Sequence, residues 1–383
     1  MVSYLKKVSL YEKIYNDILE GIQASKFPPG SKLPSEKELS IQYNVSRITS
    51  KKALDMLAEQ NLISRMPGKG SYVMENQENE YLRQEPLRNS KKQSRVIGVI
   101  MDAFGASYGY QLLLGIEREC KEQDLNFILK CTYGSKEAEI EAINELLDIG
   151  VSGIIIMCVH DETYNALVLK LAVEKFPIVL IDRQLKGIPI SYVGTDNYVA
   201  AKELTDWLFR HGHTRICFVS HASVMTPTIL ERQNGFVDYH LEHNIITNES
   251  MWISNLKSML PSANRGEASE ESDLDLIEDF IRKNPKTTAF FAIEYSIGLL
   301  VYKTLQKLGQ EKEKEVVFFD GIDEIYDSNP IFTRVKQGEY QIGTNSVQLV
   351  AERMKGKREV ETRLIPYEII EGDRKNRNKK TIA

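Results

Sequence analysis

Cysteine is scarce: four in 383 residues, Cys120, Cys131, Cys158 and Cys217, with no CxxC spacing. Each sits in or beside an apolar segment, so the sequence predicts unbridged structural thiols in a reducing cytoplasm, not a disulfide scaffold. Histidine is scarce too, six residues without metal-ligand spacing; His211 and His213 flank a turn glycine and read as structural. No window reaches the roughly 18 uninterrupted apolar residues that a membrane helix needs. The opening MVSYLKKVSLYEKIYNDILE turns polar and acidic within two helical turns and does not read as a signal peptide. A nucleophile–base pair and a glycine-rich phosphate loop are both missing. No catalytic role, no metal and no cofactor are therefore expected.

Net charge is −5, and strong positive charge is missing as well. Its distribution is uneven. Residues 1–95 sum to +5 and residues 96–383 to −10. A basic front on an acidic body fits a small nucleic-acid module joined to something with another task.

The front has clear punctuation. Leu10, Ile14, Ile18 and Ile22 recur four apart, which predicts an amphipathic helix over 10–23. Pro28-Pro29-Gly30 ends the segment. Ser35 with Glu38 three residues later is a capping box opening a second helix. A third helix is predicted from Ser46 to about Gln60, with Ala53, Leu54 and Leu57 facing inward. Leu62 to Met74 reads as two short strands around Pro67-Gly68-Lys69-Gly70. Three helices and a hairpin make the winged helix-turn-helix pattern, assigned to residues 1–75. Residues 76–95 are polar and aperiodic and read as a linker.

Pro29-Gly30, Leu33-Pro34-Ser35-Glu36 and Leu39 resemble the PG-x-x-LPSE-x-x-L signature of GntR-family regulators. Val45 to Leu54 follow as a recognition helix, and Gly68-Lys69-Gly70-Ser71-Tyr72-Val73 as the wing. The resemblance implies contacts to double-stranded operator DNA. Ser46 caps the recognition helix and presents its N-terminal amides to phosphate. Arg47 in the first turn reaches a guanine edge. Thr49 and Ser50 meet phosphate or base, Lys51 and Lys37 meet phosphate, and Gly68, Lys69 and Gly70 bring the wing to the minor groove. Ile48 stands where the family often has threonine, which points to a thymine methyl.

From residue 96 the texture changes. Apolar runs recur at 96–101, 127–131, 153–159, 177–182, 216–220, 288–293 and 316–320, and most are separated by amphipathic helical stretches. Buried strands alternating with helices predict an α/β body with parallel sheets in two lobes. Residues just past each run are then site candidates by position. Pro261–Asp273 reads as an exposed loop.

Val179 to Gln184, Ser191 to Tyr198, Glu231-Arg232-Gln233-Asn234-Gly235-Phe236, Val316 to Gly321 and Thr333 to Gln337 resemble, in order, segments of the LacI repressor and periplasmic sugar-binding protein superfamily. The expected architecture is multidomain: an α+β winged helix-turn-helix head and a two-lobed, periplasmic-binding-protein-like α/β domain over 96–383. A GntR head on a LacI-like body looks like the arabinose-repressor class of chimeric regulators. The resemblance implies a sugar effector held by Asp182, Arg183, Arg232, Asp320 and Gln337, with Tyr108 as a stacking ring and Phe104 and Tyr110 as further neighbours. Arg183 and Arg232 could equally form structural ion pairs with Asp182 or Asp320. Glu294-Tyr295 stands where the family has Asn-Asp, so Glu294 is a candidate with altered specificity; Phe318 replaces a usual glycine.

These readings converge on a cytoplasmic, homodimeric repressor of a carbohydrate operon, released from DNA by a sugar, a pentose such as arabinose favoured. Two alternatives stay open: a regulator that needs a corepressor such as a purine, and a small-molecule binding protein or enzyme whose head only oligomerises.

Overall fold

The structure is a computed structural model that describes residues 10–24, 26–60, 62–66, 69–74, 95–159, 165–222, 226–248, 251–258, 269–322 and 331–373. They fall into two compact units, within Met1–Gln93 and Ser94–Ala383. The linker expected at 76–95 lies outside the described residues, except Arg95, which opens a strand.

In the head, α1 (Leu10–Gln23), α2 (Glu36–Gln42) and α3 (Arg47–Glu59) pack on the hairpin of β1 (Ile63–Met66) and β2 (Gly70–Val73). The apolar stripe of α1 turns Ile14 and Ile18 inward against Leu39, Leu54 and Leu57, while Leu10 at the helix start stays exposed. Ser35 and Glu38 form the expected capping box. Lys32 bridges to Tyr72, and the Gly30 and Leu33 amides donate to Val73 and Ser71, so the wing gains a third edge.

The body begins with β3 (Arg95–Met101), α4 (Tyr110–Glu122), β4 (Leu125–Cys131), α5 (Lys136–Ile149), β5 (Gly153–Ile156), α6 (Ala166–Val173), β6 (Ile178–Ile181) and β7 (Ser191–Gly194). Then come α7 (Asn197–Arg210), β8 (Ile216–His221), α8 (Pro227–Glu242), β9 (Trp252–Leu256), α9 (Glu270–Lys283), β10 (Ala289–Ala292), α10 (Tyr295–Lys307), β11 (Glu315–Phe319) and β12 (Thr333–Gln337). Last are α11 (Glu339–Met354), β13 (Thr362–Leu364) and β14 (Tyr367–Ile370). Two six-stranded sheets result, in the orders β13-β7-β6-β5-β3-β4 and β14-β12-β11-β10-β8-β9. Every pairing within them is parallel except β12 with β14. The chain passes from one sheet to the other at 194–197, 337–339 and 364–367.

The seven apolar runs all fall on strands or their ends; those of the inner strands are buried on both faces, as helix-covered parallel sheets require, while 127–131 on the edge strand β4 is only half-buried. The loop expected at Pro261–Asp273 needs correction at its end. Ser269 caps α9, and Asp273 is buried, accepting from the Lys257 and Ser258 amides and the Ser258 hydroxyl.

Small residues set the closest helix crossings. A Cβ on Gly343 of α11 would stand 2.2 Å from the Leu112 carbonyl oxygen of α4, and one on Gly115 would stand 2.2 Å from that of Tyr340. Gly343→Ala must therefore push the helices apart, an overpacking cost of about 1–3 kcal/mol. Calorimetry should show the melting temperature falling by roughly 2–4 °C per kcal/mol. Gly105→Ala, whose Cβ meets nothing within 4 Å, is the control and should melt as the parent does.

Candidate functional site

On the head, the N-termini of α2 and α3 and the hairpin border a groove of about 500 Å³ lined by Ser35, Lys37, Arg47, Lys51, Arg65 and Gly70, among others. The Ser46 hydroxyl accepts from the Thr49 amide at 3.2 Å and lies 2.8 Å from the Thr49 hydroxyl, which fixes the first turn of α3. Arg47 and Ile48 follow at the exposed helix start, Ile48 at 80% exposure. Lys37, Lys51 and Lys69 are exposed, and Gly70 holds φ +116° at the wing. Gly68 lies outside the described residues.

Ser50 is a correction. It is wholly buried, and its hydroxyl donates to the Glu36 carbonyl at 2.9 Å and the Arg47 carbonyl at 3.1 Å. It ties α2 to α3 and has no free edge for DNA. Lys52 points the other way, 3.8 Å above the Tyr11 ring. Arg65 is held by Glu36 and Asp55.

In the body, polar side chains gather at the C-terminal ends of both sheets. Asp182 follows β6 and Asp320 follows β11, and both take left-handed backbone, φ 61° and 69°. Strain of this kind in non-glycine residues concentrates at functional sites. The Tyr108 hydroxyl donates to Asp182 Oδ1 at 3.0 Å, so this ring is held by its polar edge. Arg183 donates to Asp102 Oδ2 at 2.8 Å and to the Cys158 carbonyl at 3.2 Å, with Asp182 at 3.9 Å.

Across from them, Arg232 is 6% exposed and sits in the second turn of α8, not at its start. It donates to Asn197 Oδ1 at 2.8 Å and to the Ile293 carbonyl at 2.5 Å, and its guanidinium lies 3.9 Å above the Phe319 ring. Gln337 donates to Asp320 Oδ1 at 2.8 Å, while its carbonyl oxygen and Asp102 Oδ1 are buried without a partner among the described residues. Glu294 caps α10 and accepts from the Ser296 hydroxyl. The lobes touch through the Gly321 amide and the Ser107 carbonyl, and through Lys186 and Glu231 at 3.1 Å.

Three residues join this set that sequence reading did not single out. Asp102 and His221 come directly after or at the end of apolar strands, so position alone pointed to them. Glu339, which accepts from the Gly109 amide at 2.6 Å, opens a helix after a half-polar strand and carried no such signal. Phe104 and Tyr110 are exposed; Tyr110 lines, with Asp320, Gln337 and Glu339, one cavity of about 520 Å³.

Burial lifts three of the carboxyl groups: Asp320 to about 6, Glu294 to about 7 and Glu339 to about 8. Asp320 itself adds to the last two, and Arg232 opposes the first two. His221 is pushed down to about 4 by burial and by Arg183 and Arg232. A raised carboxyl keeps its proton when folded and loses it when unfolded. Its contribution is full below the unfolded value and is lost as pH rises through the folded one. The histidine works oppositely, and its effect fades as pH rises past 6.5, its unfolded value. Between pH 6.5 and 8, Glu294 and Glu339 act in one direction. The body's melting transition should fall across that interval, and Glu294→Gln should flatten the fall. A melting temperature that rises instead contradicts the assignment.

Residues 10–73 match the bacterial regulatory proteins of the gntR family, and residues 97–329 match the periplasmic binding protein domain. The chain is 21% identical over 357 residues to an arabinose metabolism transcriptional repressor of Geobacillus stearothermophilus, spanning 91% of this chain and 92% of the relative. It is 26% identical over 273 residues to the HTH-type transcriptional repressor PurR of Aliivibrio fischeri, spanning 69% and 76%. The fold is that of a LacI family transcriptional regulator from Enterococcus faecium solved with bound ribose, with TM-score 0.59 at 20% identity over 72% of this chain and 97% of that one. No helix of the described residues is long and apolar enough to cross a membrane.

Proposed function

Because the chain belongs to the periplasmic binding protein domain family and carries a gntR-family head, we propose that it is a transcriptional repressor whose operator affinity is set by a sugar held between the two lobes, a pentose such as arabinose in first place. The observation that carries this reading is the convergence of Asp182 and Arg183 from one lobe with Arg232, Asp320 and Gln337 from the other, close enough that Asp182 acts on Asp320 and both arginines on His221. Charge-assisted hydrogen bonds to vicinal hydroxyls are about twice as strong as neutral ones. A ligand that touches both lobes binds the closed arrangement better, and it shifts the lobe equilibrium only by that difference. The relatives named for arabinose metabolism and solved with ribose support a pentose.

The head supplies a half-site reader. A symmetric operator then asks for a homodimer, for which the body supplies the interface. The sugar acts as inducer and releases the DNA. Typical coupling of about 1–3 kcal/mol changes operator affinity roughly 5–150-fold. Linkage makes the effect reciprocal, so operator DNA must weaken sugar binding by the same factor. Calorimetric titration with L-arabinose, with and without operator DNA, tests this. Equal affinities in the two titrations overturn the allosteric reading, and tighter binding in the presence of operator makes the sugar a corepressor.

A further inference from the structure

Asp320 stands past the C-terminal end of β11, but the second sheet also has a cavity at its other end. The turns that lead into β8, β9 and β10, with the last turns of α8 and α9, border about 500 Å³. Ligand pockets commonly measure about 300–1,000 Å³. Ile216, Ile245, Ile246 and Met251 supply an apolar wall. Ile216 is buried, whereas Ile246 is 83% exposed, a large branched side chain left in water at the rim.

The charge here is one-sided. Arg215, Lys283 and Lys286 line the cavity, and among the described residues no carboxyl group does. Residues 96–383 carry −10 in all, so this patch runs against its surroundings. Lys283 pairs with Asp279 at 2.6 Å. Arg215 and Lys286 are exposed and make no ion pair among the described residues. Behind the 285–287 turn Lys314 is buried, and its ammonium donates to the Pro285 carbonyl at 3.3 Å and to the Thr287 carbonyl. Glu313 offsets part of that charge. The carbonyl ends of α8 and α9 also come here, and such ends carry partial negative charge. They are partly covered: the Ile245 amide donates to the His240 carbonyl at 2.9 Å, and Asn284 gives its backbone and side-chain N–H groups to the Phe280 carbonyl at 2.9 and 3.0 Å. The full charges on the side chains therefore set the field in the cavity.

Thr287, also in the lining, is 2% exposed, and its hydroxyl has no partner among the described residues. A buried hydroxyl in that state is costly, and a ligand oxygen relieves it. We propose that this cavity is a second ligand site and takes a small organic anion, a carboxylate or phosphate head on an apolar body. The head meets Arg215, whose planar fork suits either kind of oxygen, with Lys286 and the Thr287 hydroxyl beside it. The body lies against Ile216, Ile245 and Ile246. A sugar has neither the charge nor the continuous apolar surface. The proposal therefore stands apart from the sugar reading and does not depend on it.

The test titrates anilinonaphthalene sulfonate, an apolar anion that fluoresces in apolar surroundings, into the full-length chain at low ionic strength, where charge effects are least screened. Phenylnaphthylamine, with the same rings and no sulfonate, is the neutral arm. The sulfonate should bind saturably and at least roughly 10-fold more tightly than the neutral dye, about the worth of one charged hydrogen bond. Arg215→Gln combined with Lys286→Gln should remove that advantage and leave the neutral dye as it was. Both side chains are exposed, so the double variant should melt as the parent does. Ile246→Asn should weaken the two dyes alike, since it removes apolar wall and no charge. Hexanoate, hexyl phosphate and hexanol then compete with the bound sulfonate. Displacement by either acid at a concentration roughly 10-fold or more below that of the alcohol supports the proposal and tells which head the site prefers. Sulfonate binding that the double variant leaves unchanged overturns it, as does an alcohol that competes as well as the acids, or the absence of saturable binding in the parent.

Discussion

Arg232→Ala should abolish the response to sugar while operator binding persists. One guanidinium fastens the first residue of α7, the end of β10 beside Glu294, and the ring that precedes Asp320. On the proposed sugar reading, removing it takes away a ligand contact, and it also loosens three elements around the site. Asn197 and the Ile293 carbonyl are left without their partner, at about 1–3 kcal/mol for each buried group. Sugar affinity should fall by roughly 100-fold or more, on the scale of truncating a buried charged anchor. The head is untouched, so the variant should sit on operator DNA at any sugar concentration, a super-repressed phenotype. Arg232→Lys keeps the charge and one donor and should recover part of the response. Gel shifts with and without L-arabinose, with circular dichroism to establish folding, decide the matter. A normal sugar response in Arg232→Ala would remove this residue from the site.

Arg47→Ala should erase discrimination among operators. The side chain is exposed at the first position of α3, beside amides already organised by the Ser46 cap, and makes no ion pair among the described residues. A bidentate contact to guanine is worth about 1–3 kcal/mol of discrimination. Operator affinity should fall by that amount while binding to unrelated DNA barely changes. Lys51→Ala should weaken both alike and lower the salt slope by about 1, as loss of a phosphate contact does. Ser50→Ala should instead lower the stability of the head and leave sequence preference alone, since its hydroxyl joins two helices. An Arg47→Ala protein that reads operator as the parent does would assign the reading to another residue.

The head was legible because its signals are local. The Ser35–Glu38 box, the Ser46 cap and the proline pair each act within four residues, and the helices begin where those residues say. The body was legible where burial on both faces writes a continuous apolar run, as in β3, β6 and β10. β12 escaped that signature because Thr333, Arg334 and Gln337 are buried through polar partners, and only its resemblance to a known segment marked it. In β7, Ser191 and Gly194 interrupt the apolar run, and β13 is three residues with Thr362 and Leu364 exposed, so neither carries the pattern. Position past a strand pointed to Asp182, Asp320 and, had it been followed throughout, Asp102. Ser50 misled because a serine on a recognition helix looks the same in sequence whether its hydroxyl faces DNA or a neighbouring carbonyl. Only packing distinguishes the two.

The second passage of the chain between the sheets bears on how the protein is made. The first lobe opens at Arg95 but is finished by α11 and β13, which end at Leu364. The head is complete at Val73. At about 5–20 residues per second, a ribosome needs roughly 15–60 s to travel from one point to the other. During that time the head has all its residues, while α4 presents an unmatched glycine surface and β7 an open edge. Synthesis that stops before Glu339 therefore releases a complete head beside a first lobe that lacks α11 and β13. Truncations that remove Glu339 to Leu364 should therefore unfold the first lobe although most of its strands lie far upstream, as circular dichroism of the shortened chain would show.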